Sequence, residues 1–165
     1  MNTSKVFNVL FLSRRNSARS IMAEALLNHL GKGRFNAFSA GVSPTESVDP
    51  VAYELLDHAH VPYAKVPPRH YREFALVLPE PLDFIFTLSD TAAGEPMPVW
   101  PGLPVSAHWR SEDPQNVAEP AQKRLALIRV RGELERRLRV FMNLPLESLD
   151  RMSLQQHLDA IGEHP

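Results

Sequence analysis

The chain has 165 residues, of which 44% are hydrophobic and 22% charged, and it contains no cysteine. This length and composition predict a single domain over residues 1–165, with a core that folds without disulfides or a structural metal. The lack of cysteine excludes disulfides, thiolate metal sites, a cysteine nucleophile and thiol redox chemistry, and the net charge of -1 gives no general reason to bind nucleic acid or a membrane.

Apolar patterns in the first part of the chain predict strands that alternate with helices. Residues 6–12 are nearly all apolar, which is typical of a central parallel strand, and the run is too short for a signal peptide or a membrane span, so a cytoplasmic protein is expected. Helical spacing of apolar residues predicts a helix over 18–31, and residues 35–40 predict a second strand. Asp49 and Pro50 predict the start of a second helix.

The second half of the chain is interrupted by prolines. Residues 62–81 predict a surface excursion with at most a short helix near 71–74, and residues 83–88 and 105–109 predict two further strands separated by a loop. Beyond Asp113, apolar residues at positions 127, 130, 134, 138 and 141 predict a long amphipathic helix. Its other face, with Arg129, Arg136 and Arg139 balanced by Glu133 and Glu135, is expected to be solvated.

The last helix is predicted from a capping pattern. Ser153 followed by Gln156 has the form of a capping box, which places the helix start at Ser153. Strands separated by helices predict an α/β fold, with a single open, mostly parallel four-stranded sheet and helices on both faces. Right-handed crossovers then place the loop after the first strand at the carboxyl edge of the sheet, where such sheets bind ligands.

The segment SRRNSARS, residues 13–20, lies between the first strand and the first helix. The spacing from Ser13 to Arg19 allows main-chain N–H groups to surround a tetrahedral oxyanion, and the Arg19 guanidinium can hold two oxygens of the same group. Asn16 and Ser20 are candidates to brace the loop through hydrogen bonds. A polar strand-to-helix turn without a ligand is the alternative interpretation.

The segment resembles the C-x5-R signature of the low-molecular-weight tyrosine phosphatases and of the arsenate reductases built on the same fold, with Ser13 in place of cysteine. Five further stretches resemble the thioredoxin-type arsenate reductases of proteobacteria, namely NSARSIMAEALL, SAG at 39–41, LDFIFTLSDTAAGEPMPVWPG at 82–102, AHW at 107–109 and the closing LPLESLDRMSLQQHLDAIG. The resemblance covers the whole chain and implies the same fold without a cofactor.

The resemblance also implies roles for individual residues. Ser13 occupies the nucleophile position, and Asp113 before Pro114 corresponds to the acid that protonates a leaving oxygen. Ser89 and Met97 stand where family members carry redox cysteines. The loop residues implied to surround the oxyanion are Ser13, Arg14, Arg15, Asn16, Ser17, Ala18, Arg19 and Ser20.

Serine at position 13 changes the expected chemistry. A hydroxyl needs an adjacent general base to become a nucleophile, and the loop offers only arginines. Arsenate reduction needs two electrons, which this family takes from thiols that the chain lacks. A neutral hydroxyl does not repel a bound anion as a thiolate does. The sequence therefore predicts an inactive relative that binds phosphate, sulfate or arsenate, or a phosphorylated protein.

Two other interpretations stay open. One is an active phosphatase or arsenate reductase relative in which Ser13 is an unusual nucleophile or a laboratory replacement of cysteine, and the other is an interaction scaffold without a ligand.

Arg14 and Arg15 either face the anion or point to solvent. His58 and His60 are expected on the surface, and no metal site is predicted. Trp100 and Trp109 are expected to pack in the core or to line the cleft. Arg69 and Tyr71 lie in the excursion, which the resemblance places near the rim of the active site.

Overall fold

A parallel sheet forms the centre of the structure. The computed structural model describes residues 5–76 and 80–163. Within these ranges four parallel strands pair in the order β2-β1-β3-β4, which confirms the predicted α/β fold. The strands are β1 Phe7–Ser13, β2 Phe35–Gly41, β3 Phe84–Thr87 and β4 Val105–His108.

Helices of unequal size cover the two faces of this sheet. The longer helices are α1 Arg19–Leu30, α2 Pro50–His58, α5 Pro120–Met142 and α6 Arg151–Glu163. The short helices are α3 Arg72–Leu76 and α4 Asp90–Ala93, and a 3-10 turn spans Pro114–Asn116. In the part of the chain that the structure describes, no helix combines the length and apolar character that a membrane span requires.

The side chains of β1 alternate between two hydrophobic clusters. Val9 and Phe11 join the larger cluster, which includes residues of α1, α2, α5 and α6. Leu10 and Leu12 join a smaller cluster with residues of α3, α4 and the loop that follows α4. Because both faces of β1 are buried, its nearly continuous apolar sequence is what the fold requires.

The strand order positions the functional edge of the sheet. The chain passes from β1 to β2 on one side, whereas β3 pairs with β1 on the other side. The connections that follow β1 and β3 therefore run in opposite directions, and a crevice forms between them at the carboxyl ends of these two strands. Leu12 pairs with Thr87, so residues 13–20 and the segment that begins at Leu88 leave the sheet side by side.

Two predicted features were wrong. Helix α6 begins at Arg151 rather than after Ser153, because the Asp150 carboxylate accepts the Ser153 N–H at 2.7 Å and takes the capping position. The loop predicted over 89–102 contains α4, where the Ser89 hydroxyl accepts the Ala92 N–H at 3.1 Å.

The proline-rich excursion contains the short helix that was predicted. The prediction near 71–74 corresponds to α3 Arg72–Leu76. Residues 77–79 of the excursion lie outside the described residues.

Candidate functional site

The backbone of the loop after β1 is held by the segment that follows β2. The carbonyl groups of residues 13–15 accept hydrogen bonds of 3.2, 2.8 and 3.2 Å from N–H groups of residues 42, 43 and 45. In a trans peptide the C=O and the following N–H point in opposite directions, so the N–H groups of residues 14–16 turn away from that segment. The Asn16 N–H reaches the Ser13 Oγ at 3.1 Å, which marks the inner side of the loop.

Gly41 and Asn16 explain how the loop can lie so close to β2. A Cβ on Gly41 would lie 2.9 Å from the carbonyl carbon of Arg15 and 2.9 Å from the nitrogen of Asn16, so this position requires glycine. Asn16 has a φ of 52°, a left-handed conformation that asparagine tolerates better than most residues. Its side chain donates to Ser20 Oγ at 2.9 Å and accepts the Arg69 N–H at 2.9 Å.

The Ser13 hydroxyl is surrounded by neutral groups. Its side chain lies inside the loop, its Oγ is 2.8 Å from Ser20 Oγ, and it accepts the Asn16 N–H. Among the described residues, no histidine, aspartate or glutamate side chain hydrogen-bonds to Ser13. The serine therefore has no general base in hydrogen-bonding contact.

Arg19 connects the loop to the ends of β3 and β4. The residue is only 5% exposed, and its Nη1 donates to the Ser111 carbonyl at 3.1 Å and lies 3.5 Å from the Leu88 carbonyl. Its Nη2 is 3.7 Å from Asp113 Oδ2. Burial lowers the pKa of Arg19, and the carboxylate of Asp113 opposes this shift by favouring the charged guanidinium.

Asp113 lies next to the loop that follows β1 and pairs with two arginines of that loop. Arg15 Nη1 is 3.0 and 3.3 Å from the two carboxylate oxygens of Asp113. Asp113 also accepts the Gln115 N–H at 2.9 Å and so caps the 3-10 turn. Burial raises the pKa of Asp113, but the Gln115 hydrogen bond and the charges of Arg19 and Arg15 outweigh it and leave this pKa below its usual value.

A cavity of about 200 Å³ opens beside the loop. Its carboxylates are already paired, since Asp90 contacts Arg110 at 3.1 Å and Glu112 contacts Arg129 at 2.9 Å. Arg14 is exposed at the cavity and forms no ion pair with any described residue. The cavity lining consists of Arg14, Arg19, Ser89, Asp90, Thr91, Arg110, Ser111, Glu112, Asp113 and Asn116. The lining contains three arginines and three carboxylates, so its preference for an anion depends on Arg14, the one of these arginines without an ion pair among the described residues.

The N-terminus of α1 adds to this preference. Ala18 provides no side-chain cap, and the first turn contains no acidic residue. The N–H groups at the start of a helix have no partner within the helix, and they carry partial positive charge. These groups lie in the same loop as Arg15 and Arg19, so the loop can contact an anion through both main-chain and side-chain donors.

The family model for low molecular weight phosphotyrosine protein phosphatase matches residues 8–155. The chain belongs to this family. Family membership and the confirmed fold agree with the sequence resemblance, and this chain contains no cysteine. No curated protein matches the chain significantly.

Solved structures of arsenate reductases are similar to this phosphatase-family chain. The arsenate reductase from Archaeoglobus fulgidus is 30% identical, with 79% of this chain and 98% of that chain covered and a TM-score of 0.60. An arsenate reductase in its oxidized state is 25% identical over 79% of this chain and 92% of that chain, with a TM-score of 0.64. Another, in the phosphate binding state, is 23% identical over 83% of this chain and 97% of that chain, with a TM-score of 0.62, and this likeness concerns the fold.

Ser89 and Met97, which the resemblance relates to redox cysteines, line different cavities. Ser89 lines the cavity beside the loop, whereas Met97 lines a second cavity of about 370 Å³ together with Trp100. Ser17 and Ala18 are buried within the loop.

Several other predicted residues have structural roles. Trp109 is buried in the larger cluster and donates its ring N–H to the Leu158 carbonyl at 2.9 Å. Tyr71 is also buried and its hydroxyl contacts Glu95, so it does not form an accessible rim. His58 and His60 are exposed, and the described residues contain no group of three or more potential metal ligands.

Sequence reasoning missed a second hydrogen-bonded group at the same edge of the sheet. Thr87 Oγ1 is 2.8 Å from His108 Nδ1, and His108 Nε2 is 2.9 Å from Asp90 Oδ1. Thr87 and His108 are register partners across β3 and β4. The available signal was the occurrence of TLSD and AHW at the ends of the two predicted strands.

Proposed function

We propose that this phosphatase-family chain binds a tetrahedral oxyanion in the loop of residues 13–20 without catalysing thiol-dependent turnover. The ligand class is phosphate, sulfate or arsenate, or a phosphate group carried by a protein. The observation that carries the proposal is the combination of a Ser13 hydroxyl bonded only to neutral groups and two arginines, Arg15 and Arg19, held at the same loop.

Three features of the loop support anion binding. Arg19 is buried and already oriented by the Ser111 carbonyl, so little side-chain entropy is lost when it contacts a ligand. The first turn of α1 has no side-chain cap. A planar guanidinium can also hold two oxygens of one tetrahedral group.

The surroundings of Ser13 support the absence of turnover. A hydroxyl becomes a nucleophile when an adjacent base accepts its proton, and the hydrogen-bond partners of Ser13 are Ser20 and the Asn16 amide. Asp113, the residue that corresponds to the family's acid, pairs with Arg15 and lies near Arg19 instead. The chain contains no thiol to supply electrons to arsenate.

Calorimetric titration at constant ionic strength tests the binding proposal. Sulfate, phosphate and arsenate are each expected to give saturable binding, and Arg19→Lys is expected to weaken it about tenfold or more because a point charge replaces the bidentate fork. Arg139→Gln is the matched control, since Arg139 is an exposed residue of α5 that pairs with Glu135. Equal affinities of the unaltered chain and Arg19→Lys would contradict the proposal.

Hydrolysis of an aryl phosphate tests the second half of the proposal. The unaltered chain is expected to release no phenol above the uncatalysed rate. Turnover by the unaltered chain that disappears in Ser13→Ala would show that Ser13 is a working nucleophile and would overturn this part.

A further inference from the structure

We propose that Arg15 is an anion ligand, which turns from its ion pair with Asp113 to the bound anion, and that it makes the site selective for doubly charged tetrahedral anions over singly charged ones of the same shape. This inference rests on the proposed function, because it concerns the same loop. It goes further by assigning a ligand role to Arg15 and a charge class to the ligand.

The position of Arg15 supports this role. Its backbone carbonyl accepts the Thr45 N–H at 3.2 Å, so its main chain is held on the outer side of the loop. Its guanidinium nevertheless extends to Asp113, the same carboxylate that lies 3.7 Å from Arg19. Asp113 therefore brings two guanidinium groups together, and no other carboxylate forms an ion pair with either of them among the described residues.

The charge balance of the loop supports selectivity for dianions. By resemblance, the nucleophile position carries a cysteine in the family, and position 15 usually carries a small or polar residue. Here the first position is a neutral hydroxyl and the second is a cation. Two guanidinium groups that share one carboxylate leave a net charge of +1, and at the same distance the Coulomb attraction of this charge for a dianion is twice its attraction for a monoanion.

Asp113 and the ligand compete for the same donors. The Asp113 carboxylate is fixed by the Gln115 N–H, so it keeps its place when the arginines turn towards another anion. A tetrahedral dianion offers more acceptor oxygens than the carboxylate and can accept from Arg15 and Arg19 together with main-chain N–H groups. Arg15 thus exchanges the Asp113 carboxylate for the bound anion. The strength of the ion pair between Arg15 and Asp113 therefore limits the affinity for that anion.

Sulfate and perchlorate are suitable probes, because both are tetrahedral and only sulfate is doubly charged at neutral pH. At constant ionic strength, the unaltered chain is expected to bind sulfate at least about tenfold more tightly than perchlorate. Arg15→Gln is expected to weaken sulfate binding about tenfold and perchlorate binding much less, so the ratio of the two affinities falls. Arg139→Gln, which removes an exposed arginine of α5, should leave the ratio unchanged.

Asp113→Asn tests the competition directly. This variant keeps a side-chain oxygen for the Gln115 N–H but removes the charge that competes for Arg15. We expect sulfate affinity to rise severalfold, and we expect Arg15→Gln to cost more affinity in this background than in the unaltered chain. Thermal melting of each variant in the absence of anions establishes that it is folded.

The outcomes separate this inference from the function on which it rests. If sulfate binds and Arg19→Lys weakens binding but Arg15→Gln does not alter the ratio of affinities, the role of Arg15 is wrong and the proposed function stands. Additive effects of Arg15→Gln and Asp113→Asn would overturn the competition. If neither anion binds the unaltered chain saturably, both proposals fail.

Discussion

Two hydroxyl groups at the carboxyl edge of the sheet, those of Ser13 and Thr87, have opposite surroundings. Ser13 lies in an arginine-rich loop and bonds to Ser20 and a main-chain amide. Thr87 lies at the end of the neighbouring strand and contacts His108, whose other ring nitrogen lies 2.9 Å from Asp90. Among the described residues, the paired arginines of the loop and the imidazole that contacts Thr87 therefore belong to different strand ends, and neither hydroxyl has both groups beside it.

The first and largest test restores a nucleophile to the loop. Ser13→Cys is expected to raise the rate of aryl phosphate hydrolysis by about a thousandfold or more over background, because cationic surroundings at a helix N-terminus lower the pKa of a thiol and produce a thiolate. Thr87→Cys is the matched variant, and it should remain inactive because it introduces the thiol outside the anion loop. Activity of Thr87→Cys equal to that of Ser13→Cys would remove the distinction between the two positions.

A second test concerns how the loop is held. Gly41→Ala would place a Cβ 2.9 Å from backbone atoms of Arg15 and Asn16, so it is expected to lower the free energy of unfolding by about 1–3 kcal/mol and to weaken sulfate binding. Gly132→Ala is the control, because its Cβ would lie 3.5 Å from a flexible Arg136 side chain within α5. Urea denaturation should show no loss of stability for this second variant.

A third test uses the pKa of Asp113. Because this pKa is lowered in the folded chain, the carboxylate stabilises the fold above its unfolded pKa of about 3.9, and the contribution is lost as the pH falls through the folded value. Asp113→Asn is expected to reduce the free energy of unfolding at pH 7 by about 1–2 kcal/mol. The difference from the unaltered chain should shrink below about pH 3.9. Denaturation curves at pH 7 and pH 3 would reveal a constant difference if the charge were irrelevant.

The smallest effect is expected at the second hydroxyl. His108→Gln removes the imidazole that contacts Thr87, while the loop of residues 13–20 and its arginines are left in place. Sulfate affinity should change by less than about twofold, because His108 contacts Thr87 and Asp90 rather than residues 13–20, and Asp90 keeps its ion pair with Arg110. A tenfold loss of affinity in the same titration would mean that the two regions act as one site.

The sequence allowed the elements and the loop to be predicted because their signals are local. The apolar run of β1 indicated a buried strand, and Asp49 before Pro50 indicated the start of α2, where Asp49 indeed accepts the Val51 N–H at 3.0 Å. The Ser153 cap was predicted wrongly because Asp150, three residues earlier, competes for the same N–H group. Local patterns do not decide which of two nearby acceptors takes a donor.

The contacts that define the site could not be predicted, because they join distant parts of the chain. Arg15 and Asp113 are 98 residues apart in sequence, and their ion pair depends on how the segment after β4 returns to the loop. Thr87 and His108 meet because their strands pair in register, which neither motif reveals by itself. Charge signs alone left Arg14 and Arg15 equivalent, whereas the structure pairs Arg15 and leaves Arg14 exposed.

Ser111 connects the loop to α5 through hydrogen bonds. Its carbonyl accepts Arg19, its N–H donates to Leu88, and its hydroxyl lies 3.1 Å from Glu133 on α5. A ligand that hydrogen-bonds to Arg19 will alter the polarisation of the peptide group whose carbonyl belongs to Ser111. The amide resonance of the residue that follows it is therefore a natural spectroscopic reporter of loop occupancy, and it needs no change in the loop itself.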